Sequence, residues 1–226
     1  MPLKIAVLVS GSGSNLQSIM DRIDQGILDA RITLVLSNKK GAYGLERAAN
    51  HGLATRVVEH TFFESREDFD RAVVDEIRDS GAEAVILAGF MRILTPFFIS
   101  SFPGRILNIH PALLPSFPGV NGQRQAADYG VKVSGCTVHF VDEKMDHGPI
   151  IIQAAVPGFA DDSAKSMGER ILNLEHRIFP QAIQWLAQKR LKIQGRKVEI
   201  VNEPRPVLEG SGKAAALISP GLESGF

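Results

Sequence analysis

Asn108 and His110 stand two residues apart in Asn108-Ile109-His110-Pro111, where an apolar run ends, and Asp146 lies in Met145-Asp146-His147-Gly148-Pro149 beyond a second such run. Side chains alternate along a strand with period two, so the amide and the imidazole share a face. An amide and a protonated imidazole donate hydrogen bonds to an oxyanion. A carboxylate holds the imidazole charged and relays a proton. That set suits the transfer of an acyl group to a substrate that brings its own amine, with no Ser or Cys nucleophile. Taken singly, His110 also reads as a satisfied loop histidine and Asp146 as an Asx-turn residue. Spacing alone leaves open whether the two meet.

A second candidate is Ser10-Gly11-Ser12-Gly13-Ser14-Asn15, between the first apolar strand and the first helical pattern. Backbone N–H groups and the helix dipole hold a phosphate at such a position; the plainer reading is a tight turn with Ser14 as N-cap. A dinucleotide G-x-G-x-x-G would place its third glycine at Leu16, and the second strand runs into Ser37-Asn38-Lys39-Lys40 without an acidic ribose ligand. A triphosphate loop requires Gly and Lys where Leu16 and Gln17 stand. A small phosphorylated substrate remains. Phe90, Met91, Arg92, Ile93 and Leu94 fit either a slot for a flat ring or core packing. Glu175, inside a long helical pattern, reads as a solvated-face charge. His139, His147 and His176 show no metal-ligand spacing with acidic neighbours, so no metal is expected.

These residues need a scaffold, and 226 residues with 44% hydrophobic content can bury a sizeable core. Lys+Arg and Asp+Glu both number 25, which speaks against a nucleic-acid or membrane partner and requires any anion to be held locally. The single cysteine, Cys136, excludes an intrachain disulfide and fits a reducing compartment. The N-terminal run is too short for a signal sequence and no stretch approaches a membrane span, so a cytoplasmic location is expected.

Short apolar strands at Lys4–Val9, Ile32–Leu36, Thr55–Val58 and Ala84–Leu87 alternate with amphipathic helices at Asn15 to about Gln25, Gly44–Asn50 and Ser65 to about Asp79. Ser65 with Asp68 resembles a capping box. The alternation predicts an α/β fold, a mostly parallel twisted sheet with helices on both faces, whose ligands sit outside the carboxyl ends of the strands. Thr95-Pro96 opens a short helix to about Ser101 before a strand at Arg105–Ile109. Prolines and glycines make His110 to Gly122 an irregular loop. Strands follow at Gly135–Val141 and Pro149–Ala155, then a helix from Ser163 to about Gln188 that Pro180 should kink. Lys192–Ile200 reads as a hairpin around Gly195, and the Pro/Gly/Ser/Ala-rich stretch beyond Glu203 as partly disordered.

Taken together, Ser10-Gly11-Ser12-Gly13-Ser14-Asn15-Leu16, Gly89-Phe90-Met91-Arg92-Ile93-Leu94, Asn108-Ile109-His110-Pro111-Ala112-Leu113-Leu114-Pro115 and Asp146-His147-Gly148-Pro149 closely resemble the phosphoribosylglycinamide formyltransferases, a folate-dependent formyltransferase family. The match runs from about Lys4 to Leu191. The resemblance implies a Rossmann-like formyltransferase domain over residues 1–191, phosphate-binding to about 100 and folate-binding and catalytic beyond; residues 192–226, read as a hairpin and flexible tail, lie outside it, and the stretch after Glu203 matches no pattern of the family. It implies 10-formyltetrahydrofolate as formyl donor and co-substrate, glycinamide ribonucleotide as acceptor in de novo purine biosynthesis, and no metal; the sequence leaves monomer or homodimer open. It carries over Asn108, His110 and Asp146 as the catalytic trio, and Gly13, Ser14 and Asn15 as the phosphate loop. The implied folate site is Met91, Arg92, Ile93 and Leu94 with Asp142, Glu143, Lys144, Met145, Asp146 and Asn108. Arg66 resembles a further folate contact, and Glu175 a ligand for the glycinamide end. Val120-Asn121-Gly122-Gln123 lacks histidines that some relatives carry there.

Three rivals share part of this pattern. A formyltetrahydrofolate hydrolase keeps the trio but is expected to carry an extra N-terminal domain, whereas here the fold begins at Lys4. A methionyl-tRNA formyltransferase needs a basic surface and a further C-terminal domain. A non-catalytic phosphate or folate binder has no use for an intact trio.

Overall fold

The computed structural model describes residues 1–226, and the chain divides into two compact units, Met1–Asn108 and Ile109–Phe226. The division falls inside one strand, a few residues beyond the expected midpoint, and the second unit takes in the whole C-terminal stretch.

The first unit is built from β1 (Leu3–Val9), α1 (Ser14–Asp24), β2 (Ala30–Ser37), α2 (Tyr43–Asn50), β3 (Thr55–Val57), α3 (Arg66–Asp79), β4 (Ala84–Leu87), α4 (Pro96–Ser101) and the start of β5 (Ile106–His110). Its strands lie in the order β3-β2-β1-β4-β5, every neighbouring pair parallel. Ile5 to Val9 and Ala84 to Ile86 are fully buried, because a parallel sheet covered on both faces admits continuous apolar runs. Leu16, Ile19 and Met20 of α1 and Phe69, Val73, Val74 and Ile77 of α3 supply the covering layers. Each such side chain contributes about 1.5–3 kcal/mol of burial.

Caps fix where the helices begin. Ser65 Oγ accepts the Asp68 N–H at 3.1 Å and donates to the Asp68 carboxylate at 2.6 Å, so the expected box closes through the hydroxyl. Thr95 caps α4 ahead of Pro96. Its N–H and hydroxyl both donate to buried Asp70 at 2.7 Å. Burial pushes the Asp70 carboxyl above its usual range, while these bonds and the charges of Arg92 and Arg66 pull it back.

The second unit contains α5 (Gly122–Tyr129), β6 (Val133–Phe140), β7 (Ile150–Pro157), α6 (Ala164–Ala187), the separate hairpin of β8 (Leu191–Gln194) and β9 (Lys197–Ile200), β10 (Val207–Glu209) and β11 (Ala216–Ser219). Its sheet runs β6-β7-β11-β10 with antiparallel pairing. α6, capped by Ser163, continues as helix past Pro180 to Ala187. No helix is long and apolar enough to cross a membrane.

Two expectations need correction. The irregular loop stops at Asn121, and an unexpected helix, α5, follows; its eight residues bury only Gly122 and Ala126, too few to print a helical period. The stretch beyond Glu203 is ordered. Ala216 and Ile218 are buried and alternate with exposed Leu217 and Ser219 as β11 pairs with β7. Arg177 grips Glu209 through two bonds of 2.6 and 3.0 Å, and Glu223 accepts from Arg190 at 2.6 Å and from the Trp185 indole at 3.2 Å. Composition predicted disorder because these partners are remote in sequence.

Candidate active site

In the second unit His110 ends β5 and is 3% exposed. Its Nε2 bonds the Phe117 carbonyl at 2.8 Å, and its Nδ1 lies 3.4 Å from Asp146 Oδ2. Both neighbours are acceptors, so a ring protonated on both nitrogens satisfies both. The meeting of His110 and Asp146, which spacing had left open, is therefore made.

Several close approaches hold it in place. Asp146 has φ +48°, and its Oδ2 also accepts the Gly119 N–H at 2.7 Å. A Cβ at Gly148 would fall 1.9 Å from the Phe140 carbonyl, so only glycine brings this loop against the end of β6. Gly122 is similarly tight: a Cβ there would come within 3.3 Å of His110 Nε2 and 3.2 Å of the Pro111 carbonyl. The loop after β5 is pinned by buried Thr137, which donates to the Ala112 carbonyl at 2.7 Å and accepts from Leu114 N–H at 3.1 Å. Gln153 donates to Thr137 and to the Leu114 carbonyl at 3.0 Å.

A second imidazole faces the same carboxylate. His139, 1% exposed, donates from Nδ1 to the Phe140 carbonyl at 2.7 Å, and its Nε2 stands 3.8 Å from Asp146 Oδ1. Burial pushes this imidazole below its ordinary range, against the pull of that hydrogen bond and of Asp146. In the sequence His139 lacks metal-ligand spacing, and its one other signal is the period-two step from Thr137 on the same strand.

The remaining loop residues divide. Asp142 accepts the Lys144 N–H at 3.0 Å and bonds His147 at 2.7 Å, and Arg196 at the β8–β9 turn donates to the His147 carbonyl at 2.6 Å. Glu143 and Lys144 are exposed, and Met145 is half exposed with its thioether against Gly119. Glu175 is 6% exposed rather than solvated; burial, with the charge of Glu175 as a smaller contribution, raises the Cys136 thiol well above its usual range. Long amphipathic helices bury such positions when a strand packs on them, which its helical spacing does not reveal.

In the first unit Gly13 takes the N-cap place of α1 at φ +70°, and Ser14 is the first helical residue rather than the cap. A Cβ at Gly13 would lie 2.5 Å from Gly44 Cα, so conformation and space both demand glycine. Asn15 is buried. The Gly44 N–H donates to the Gly11 carbonyl at 3.0 Å and Arg47 Nε to the Ser12 carbonyl at 2.9 Å. Ser10 Oγ accepts the Met91 N–H at 2.8 Å, which sets the glycine loop beside the segment after β4. There Phe90 and Leu94 are core residues, while Met91 and Ile93 are more than half exposed. Arg92 lies over the Phe69 ring at 5.7 Å, and Arg66 is exposed at the start of α3. Asn108, opposite Leu87 of β4, shares β5 with His110. No three His, Cys, Asp or Glu side chains group as a metal site would require.

Comparison with known proteins bears on what this arrangement serves. The family model described as "Formyl transferase" matches residues 3–183. The phosphoribosylglycinamide formyltransferase of Escherichia coli K12 is 47% identical over 191 residues, covering 84% of this chain and 90% of that protein. The chain belongs to the phosphoribosylglycinamide formyltransferase family. A solved family structure, glycinamide ribonucleotide transformylase 1 from Symbiobacterium toebii, superposes with a TM-score of 0.87 at 48% identity, covering 88% of this chain and 94% of that one. The family also occurs within longer proteins. The trifunctional purine biosynthetic protein adenosine-3 of Gallus gallus is 44% identical over 84% of this chain, which spans 19% of its length.

Proposed function

We propose that this formyltransferase moves a formyl group from 10-formyltetrahydrofolate to the amine of glycinamide ribonucleotide, and that Asn108, His110 and Asp146 carry the step. The observation that supports these roles is the buried imidazole–carboxylate pair, His110 Nδ1 to Asp146 Oδ2 at 3.4 Å, at the end of the strand that also bears Asn108. The amine nitrogen bonds to the formyl carbon, whose oxygen becomes the oxyanion. Asn108 donates from its amide, and His110 from the Nε2–H that the Phe117 carbonyl now accepts. Each such donor contributes about 3 kcal/mol in the transition state. Collapse breaks the bond from the formyl carbon to the folate nitrogen, which leaves with a proton, and the amine loses one. Holding both substrates in line supplies much of the acceleration.

In the same reading the N–H groups of Gly13, Ser14 and Asn15 hold the ribonucleotide phosphate at the start of α1, and Glu175 meets the glycinamide end. Arg66, Met91 to Leu94 and Asp142 to Asp146 receive the folate, with exposed Met91 and Ile93 as its apolar contacts. In this reading the activity is cytoplasmic. The test is to follow folate absorbance on mixing protein with 10-formyltetrahydrofolate, with and without glycinamide ribonucleotide. Loss of the donor only when the amine is present is the expected result. Loss without it means a hydrolase, and binding without loss means a sensor.

A further inference from the structure

Asp146 cannot be the last stop for the amine's proton if its carboxylate is also to keep His110 charged. One oxygen, Oδ2, is committed to the Gly119 N–H and faces His110. The other, Oδ1, faces His139 Nε2 at 3.8 Å. The Phe140 carbonyl takes the His139 Nδ1–H at 2.7 Å and so fixes the tautomer: in the neutral ring Nε2, the nitrogen nearer Asp146, is the basic one. Closing the gap by about 1 Å gives hydrogen-bond distance. Strand β6 is shaped for this: its register with β7 shifts between Val138 and His139, and Gly148 presses the Asp146 loop onto Phe140.

We propose that His139 is the positioning and proton-storing residue behind Asp146, receiving on Nε2 the proton that Asp146 Oδ1 takes from the attacking amine and returning it when the folate nitrogen leaves. This rests on the transfer reading above. The balance closes: one proton leaves the amine nitrogen as the carbon–nitrogen bond forms, resides on His139 while the oxyanion exists, and arrives at the folate nitrogen as its bond to the formyl carbon breaks. His139 is neutral before and after, and Asp146 is an anion at both ends. The charged and titratable groups around His139 are Asp146, His110 and Asp142, and its burial favours the neutral, accepting form at neutral pH.

The decisive variant is His139→Gln, whose amide can donate to Asp146 and hold it in place but cannot accept a proton. Steady-state kinetics with both substrates should show kcat reduced about 100-fold, in the range of general acid–base effects, with both KM values changed less than about threefold. The wild-type acid limb from protonation of His139 should disappear from the kcat profile. Full kcat and an unchanged profile in the Gln variant would reduce His139 to a spacer and overturn the proposal. Should that variant fail to fold, nitrogen-15 NMR of the wild-type histidines decides: Nε2 must be unprotonated at pH 7, and an Nε2–H tautomer overturns it. If wild type consumes the donor without the amine, or not at all, the transfer reading itself falls and takes this inference with it.

Discussion

One carboxylate placed between two histidines is stronger evidence for proton traffic than either contact alone, since each oxygen of Asp146 has its own imidazole. His110→Ala and Asp146→Asn should each lower turnover by about two to four orders of magnitude while folate binding, read by fluorescence quenching, stays within a few-fold. Near-normal turnover would remove that residue from the step. Gly13→Ala should raise KM for the ribonucleotide at least tenfold and lower stability by about 2 kcal/mol, because the new methyl meets Gly44 and the backbone sits at φ +70°. An unchanged KM would take the loop out of phosphate binding. At this scale the sequence was legible where chemistry is local: Asn108 and His110 share a face by strand period. It was silent on Asp146 meeting His110, which depends on Gly148 and Gly119 closing a loop from afar. Thr137 and His139 look like ordinary buried strand positions until the loops they hold are seen.

α3 and α4 announced themselves through their caps and the strands through apolar runs, so β4 and α4 were readable to the residue. α5 escaped notice because it buries too little, and β10 and β11 because their support lies far along the chain. β10 and β11 exist because β7 offers an edge and α6 offers Arg177. Removing residues 205–226 should therefore destabilise the second unit and cause aggregation, seen as light scattering on warming, whereas a disordered tail could be cut without effect. Ahead of α6, the Asp162 side chain is 2% exposed and held by the two terminal guanidinium nitrogens of Arg170, by Ser166 and by the Phe159 N–H. Arg170→Met removes that carboxylate's counter-charge, leaving it only Ser166 and the Phe159 N–H, and should cost about 3 kcal/mol in urea unfolding. A loss under 1 kcal/mol would show the pair to be dispensable.

For the molecule as a whole, equal numbers of acidic and basic residues and a pI near 7.0 predict least solubility close to neutrality. Acid acts differently. The Arg170 hydrogen bonds hold Asp162 far below the usual carboxylate range, and Arg177 holds Glu209 below it. A lowered folded value means the stabilisation is complete above the ordinary carboxylate pKa of about 4 and fades as pH falls through the folded one. Stability measured from pH 6 down to 2 should decline, and Asp162→Asn should flatten part of that slope; an unaltered slope would assign acid sensitivity elsewhere. Strand–helix alternation made the parallel first unit legible, whereas the antiparallel sheet of the second unit depends on pairings that periodicity does not encode. One of those pairings has a consequence during synthesis. β7 emerges from the ribosome well before the segment that becomes β11, so its outer edge stands unpaired while translation continues. A nascent chain paused in that interval presents a ready template for another strand, and it is there, rather than in the finished protein, that a chaperone has most to protect.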